Sequence, residues 1–275
     1  MDPGFRQDDD SNYVLEYQNN NFMIILKTPE QIEIMAEGGK RLARVLEYLA
    51  KEVRPGITTK FLDSMAYKHI REAGASPAFL NYRPAGAKKA YPFTLCASLN
   101  DTVVHGLPSD YVICEGDLVK LDLGLKYKGF YLDSAITVGV GSISKEAKKL
   151  IQATEESLAR AIVSARPGKT LGDIGHAVET RVKKNNFSIV QSLTGHGIGR
   201  NLHEDPYVLN FGKAHDGERL LAGMVLALEP MVAIGKSDVL QRADESFVTR
   251  DGSLAAHFEH TVAITETGPR VLTRV

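Results

Sequence analysis

The chain has 275 residues, 43% hydrophobic and 24% charged, with a net charge of −1. It is long enough to bury a sizeable core, and its charge balance offers no general attraction to nucleic acid or an anionic membrane. No apolar run approaches the ~20 residues of a membrane-spanning helix, the N-terminus lacks the basic-then-apolar pattern of a secretion signal, and Cys96 and Cys114 match no CxxC zinc spacing, so the expected compartment is the reducing cytoplasm.

Residues 1–22 are acidic and Asn-rich without helical or strand period, and read as a vector-derived or disordered extension ahead of a single domain, 23–275. Thr28-Pro29-Glu30-Gln31 joins an N-cap residue to proline at the first helical position and Gln three residues after the cap, which predicts a helix start. Ile32, Met35, Leu42, Val45, Leu46 and Leu49 then keep one apolar face until Arg54-Pro55-Gly56 ends it. A second helix is expected over about 59–74. Arg54-Pro55-Gly56-Ile57-Thr58 is echoed by Arg166-Pro167-Gly168-Lys169-Thr170, and Leu46, Leu62, Ala66 and Ile70 fall in phase with Leu158, Ile174, Val178 and Val182. This predicts an internal duplication: two related α+β halves, about 23–140 and 141–275, whose helix pairs cover one face of a largely antiparallel sheet.

Between the helix pairs, Leu121, Leu123 and Leu125 alternate with Lys120, Asp122 and Gly124, which reads as a strand with one buried face. A return strand runs from Phe130 to Val138. A turn centred between Tyr127 and Lys128 would set Asp122 directly opposite Asp133, a destabilising pairing unless something positive lies between them. Two aspartates on a solvated face is the plainer alternative. Further on, Gly195-His196-Gly197-Ile198-Gly199-Arg200-Asn201-Leu202-His203 places two imidazoles in a glycine-rich stretch, glycines that would let backbone approach a bound group. Glu229 precedes Pro230 in an apolar strand, and Glu259 shares a strand face with His257 and Thr261. Asp122, Asp133, Glu229 and Glu259 with one imidazole form an oxygen-rich set suited to two divalent cations of the Mn, Fe or Co type. Such a pair can deprotonate a shared water and clamp both oxygens of a hydrolytic transition state.

Taken together, Asn100-Asp101-Thr102-Val103-Val104-His105-Gly106, the two aspartates, GHGIGRNLHEDP, Leu228-Glu229-Pro230-Met231-Val232 and Phe258-Glu259-His260-Thr261 resemble the type I methionine aminopeptidases of the pita-bread metallopeptidase family. The resemblance implies the pita-bread fold, a curved and largely antiparallel sheet with a pseudo-twofold. It also implies hydrolytic removal of the initiator methionine from nascent chains, with a small residue second, at the ribosome, by a cytoplasmic monomer. The cofactors it implies are two divalent ions of the Co, Mn or Fe(II) class. Asp133 and Glu259 would bridge them, His196 and Glu229 would complete one site, and Asp122 the other. His105 would lie by the substrate amine, His203 by the scissile carbonyl, and Glu229 would carry the proton. Tyr91 and Cys96 would line the methionine pocket. The chain departs from the family at Leu202, where an aromatic is usual, and in a longer 80–90 segment, to which no substrate contact is assigned and whose Lys88 and Lys89 read as solvated.

Two other readings are weighed. An enzyme of the same fold acting on Xaa-Pro bonds commonly carries an extra N-terminal domain, for which this chain lacks space. A metal-free binding protein built on the fold is opposed by the retained ligand set. His69, His176, His215, His257 and His260 read as structural or solvated, with His260 beside Glu259.

Overall fold

The capping box expected at Thr28 forms: its hydroxyl accepts from Gln31 N, the Gln31 side chain accepts from Thr28 N, and Pro29 opens the helix. The computed structural model describes residues 4–7, 13–17, 22–84 and 86–275, with side chains from Met23 onward. In chain order it holds β1 (Gly4–Gln7), β2 (Tyr13–Tyr17), β3 (Phe22–Leu26), α1 (Pro29–Glu52), α2 (Thr59–Glu72), β4 (Ser76–Pro77), β5 (Leu95–Leu99), β6 (Thr102–Val104), β7 (Leu118–Tyr127) and β8 (Phe130–Gly139). There follow α3 (Lys145–Ser164), α4 (Leu171–Lys183), β9 (Ser188–Ile189), β10 (Gly195–Gly197), β11 (Glu204–Val208), β12 (Val225–Leu228), β13 (Met231–Ala233), β14 (Val239–Gln241), β15 (Phe247–Thr249), β16 (Ala255–His257), β17 (Glu259–Thr265) and β18 (Gly268–Val271).

The stretch read as an extension without strand period contains two strands, which join β3 in a three-stranded antiparallel sheet. Residues 1–3, 8–12 and 18–21, on which the same reading falls, lie outside the described residues. Both helix pairs precede strands, and α2 and α4 start after equivalent threonine caps, Thr58 and Thr170.

The main sheet is antiparallel, in the order β11-β10-β12-β17-β8-β7-β4, with β18 on β17 and β5 on β7. Apolar residues of α1 and α2 meet Val119, Leu121, Leu123 and Leu125 in one core, and those of α3 and α4 meet Leu226, Leu228, Val262 and Ile264 in another. Burial of such side chains from water is the main favourable contribution to folding.

Two details of the hairpin differ from expectation. Its turn is Lys128-Gly129, both at positive φ (46° and 88°), so Tyr127 pairs with Phe130. This two-residue turn matches the strand twist and moves the pairing by two: Asp122 faces Ala135 and Asp133 faces Gly124. The aspartates are diagonal neighbours rather than opposite, and a slip of two leaves both on the same face. Secondly, β7 is buried on both faces, since Lys120 and Asp122 are only 1% and 7% exposed. The sheet's second face closes over a cavity, where one buried face had been expected.

Candidate active site

Four strands of the sheet each deliver one polar residue, and a fifth residue comes from the position just past β12. In antiparallel pairing, partners share a face, and so do residues two apart on a strand. Asp122 of β7 shares its face with Ala135, hence with Asp133 of β8; Ala135 pairs with Glu259 of β17. Glu259 shares its face with Thr261, whose partner Ala227 of β12 pairs in turn with His196 of β10. Glu229 lies two residues beyond Ala227, just past the end of β12. All five are between 2% and 9% exposed, and they line a pocket of roughly 390 Å³. Ligand atoms of Asp133, His196 and Glu259 lie within 4.8 Å of one another.

The glycines around His196 serve the sheet. A Cβ on Gly195 would come within 2.3 Å of Ala227 O, and one on Gly197 within 2.1 Å of Asp205 O, so neighbouring backbone rather than a bound group demands them. His196 Nδ1 donates to Gly197 O at 2.8 Å, which leaves a lone pair on Nε2. That lone pair meets Glu229 Oε1 at 3.6 Å.

Two acceptors facing each other in a buried site need a proton or a cation between them. Burial, then Asp133, pushes Asp122 well above the usual carboxylate range, and burial pushes Asp133 up to about 7. Glu229 and Glu259 are pushed up by burial and by their acidic neighbours, and burial draws His196 down to about 3. Among the described residues, Glu259 Oε1 is buried without a hydrogen-bond partner. An orphaned carboxylate oxygen, a free imidazole lone pair and mutually repelling carboxylates are what divalent cations would relieve, so the residues fit the ions that the resemblance implies.

The remaining expected residues converge on the same pocket: His105, Tyr91, Cys96, Leu202 and His203 all line it. His105 is held at φ 58°, a left-handed backbone that costs energy for a residue with a side chain, and is found where function over-determines the structure. Tyr91 donates its hydroxyl to Leu95 O and Gly106 O, at 2.9 and 3.0 Å, and turns its ring to the cavity. His260 contacts Thr273 Oγ1 at 3.0 Å.

Sequence reasoning missed several members. The 80–90 segment, assigned no contacts, supplies Tyr82, Pro84, Lys89 and Ala90 to the pocket wall, and Tyr82 Oη lies 2.8 Å from His203 Nδ1. Asp244 and Glu245 also border the mouth, and Glu245 accepts from Lys88 N at 3.0 Å. The 80–90 segment has no helical or strand period and so gave no signal for Tyr82. His257 was read as structural, yet its Nε2 lies 3.5 Å from Glu229 Oε2.

Residues 33–266 match the model of metallopeptidase family M24. Methionine aminopeptidase 1 of Bacillus subtilis is 46% identical over 92% of this chain and 100% of its own length. The crystal structure of methionine aminopeptidase from Thermotoga maritima superposes with a TM-score of 0.87 at 40% identity, covering 92% of this chain and 100% of that one. Prolidase from Pyrococcus furiosus has a TM-score of 0.71 at 24% identity, with 91% of this chain and 65% of that one covered, a likeness of fold.

Proposed function

The chain belongs to the methionine aminopeptidases of metallopeptidase family M24, and from that premise we propose how its pocket releases an N-terminal methionine. The enzyme is a metal-dependent hydrolase with the pita-bread fold. One observation supports the site assignment above the others: β7, β8, β17 and β10 and the position just past β12 bring Asp122, Asp133, Glu259, His196 and Glu229 to one pocket, where a buried carboxylate oxygen has no hydrogen-bond partner among the described residues.

In this reading Asp122, Asp133, His196, Glu229 and Glu259 would hold two divalent ions of the Co, Mn or Fe(II) class, with Asp133 and Glu259 contributing to both sites, His196 and Glu229 to one and Asp122 to the other. When bound, the ions supply Lewis acidity, lowering the pKa of water and stabilising negative charge in the transition state. Glu229 accepts the proton of the attacking water and returns it to the departing amine. With the Tyr82 hydroxyl donating to Nδ1, His203 carries its proton on Nε2 and donates to the oxyanion as it forms. His105 lies beside the substrate amine. Tyr91 and Cys96, with Phe79, hold the methionine side chain, whose soft thioether suits aromatic and thiol neighbours.

The substrates are nascent chains with a small second residue, met at the ribosome by a cytoplasmic monomer. Among the described residues no helix is long and apolar enough to cross a membrane. We read 23–275 as one catalytic domain of two related halves, about 23–140 and 141–275, a reading that the equivalent helix pairs and caps support. The chain reconstituted with metal should cleave Met-Ala peptides and leave Xaa-Pro peptides intact; the reverse preference would overturn the substrate assignment.

A further inference from the structure

Glu229 has an imidazole on each side. His196 Nε2 stands 3.6 Å from Oε1 and His257 Nε2 stands 3.5 Å from Oε2. His257 is 1% exposed, and among the described residues neither of its ring nitrogens has a hydrogen-bond partner. A buried imidazole left this way is costly, and buried polar groups are nearly always paired in folded proteins.

Its backbone is firmly placed. His257 N donates to Thr137 Oγ1 at 2.9 Å, and Thr137 Oγ1 donates to His257 O at 2.7 Å. His257 ends β16, and Met231, its partner on β13, follows Glu229 by two residues. The gap to Glu229 exceeds a good N–H···O distance by about half an ångström. An imidazole always carries at least one N–H, and among the described residues neither nitrogen is committed elsewhere. A carboxylate oxygen can only accept, which favours the proton on Nε2.

We propose that His257 is a positioning residue for Glu229: its Nε2–H donates to Oε2, fixing the carboxylate so that Oε1 is presented to the pocket. The inference rests on the reading of Glu229 as a metal ligand and proton carrier. It gives a function to a side chain that otherwise only fills space. Without the donor, the carboxylate would be free to rotate, and both ion affinity and proton transfer would suffer. Loss of a partner that orients a ligand typically lowers metal affinity or activity by about 10- to 100-fold.

The test uses the full chain and Zn²⁺ as probe, with calorimetry, Met-Ala kinetics and imidazole NMR of ¹⁵N-histidine-labelled protein. Wild-type chain that binds no Zn²⁺ would remove the reading of Glu229, and the inference with it. Given binding, His257→Phe, which fills the space without a donor, should bind Zn²⁺ at least about 10-fold more weakly and lose kcat with little change in KM, while His257→Gln, which restores a donor, should recover most of both. A His257→Phe variant with wild-type affinity and kcat, or a His257→Gln variant as impaired as His257→Phe, would overturn the inference while leaving the reading of Glu229 standing. Should either variant fail to fold, the wild-type spectrum decides. A His257 Nε2–H protected from exchange in the Zn²⁺-loaded chain supports the role, and an unprotonated Nε2 rejects it.

Discussion

Lys27 and Glu204 form an ion pair with each side chain 3% exposed, and Lys27→Met tests what that pair does. The lysine also donates to Ile25 O at 2.8 Å, and the other Glu204 oxygen accepts from Asn201 N at 2.9 Å. The pair therefore ties the end of β3 to the loop carrying His203. Burial lowers the Lys27 pKa despite the opposing pull of Glu204, so desolvation outweighs attraction and the pair adds little net stability over apolar residues of similar volume. Breaking it is a different matter. Lys27→Met leaves Glu204 charged and buried, which should cost about 3–5 kcal/mol, or a fall in Tm of roughly 6–20 °C at about 2–4 °C per kcal/mol for a chain of this size. Lys27→Met combined with Glu204→Gln removes the stranded charge, keeps an acceptor for Asn201 N, and should recover most of the loss. Urea unfolding of the wild type, both singles and the double gives the cycle. A single-variant cost below about 1 kcal/mol, or a double variant as unstable as the two singles summed, would refute the reasoning.

Asp122→Asn and Glu259→Gln should each abolish Met-Ala cleavage and lower bound metal, since an amide lacks the charge that a cation requires; elemental analysis beside kinetics checks both. His203→Ala should keep its metals, lose about 10² to 10³ in kcat, roughly 3–4 kcal/mol, and leave KM nearly unchanged. Tyr82→Phe should show a smaller loss of the same kind in steady-state assays. The rise in Tm on adding Mn²⁺ should be larger at pH 8 than at pH 5.5. Asp133 is pushed up to about 7 and Asp122 well above the usual carboxylate range, so the metal-free fold retains protons that the unfolded chain has released. These groups therefore withdraw stability as pH rises from about 4 through 7, and a cation that displaces the protons returns it. An equal or larger shift in Tm at pH 5.5 would contradict this.

The hairpin shows why residue types were legible and geometry was not. Asp122 and Asp133 stood out because carboxylates interrupt an apolar strand, and a register moved by two preserves the face of every side chain, so their convergence survived the wrong turn. The turn itself was hidden because Lys128 takes a left-handed conformation that Asn or Asp would have advertised. Lys120 was read as alternating with a buried face, whereas its ammonium is buried and donates to Asn100 O at 2.8 Å, a contact with a loop distant in sequence. Tyr82 and His257 stayed out of view for the same reason. Each acts on a residue from another segment, His203 or Glu229, and no local pattern encodes that meeting. The Thr28 cap, by contrast, is contained within four residues and was read directly.

The central claim, that this face of the sheet holds the ions on which methionine release depends, is tested most directly by titrating the chelator-treated chain with Mn²⁺ while following cleavage of a Met-Ala peptide. Cleavage should be negligible without metal and its rate should saturate as the sites fill, with at most two equivalents bound per chain. Full activity in the chelated chain, or an activity unresponsive to added metal, would contradict it.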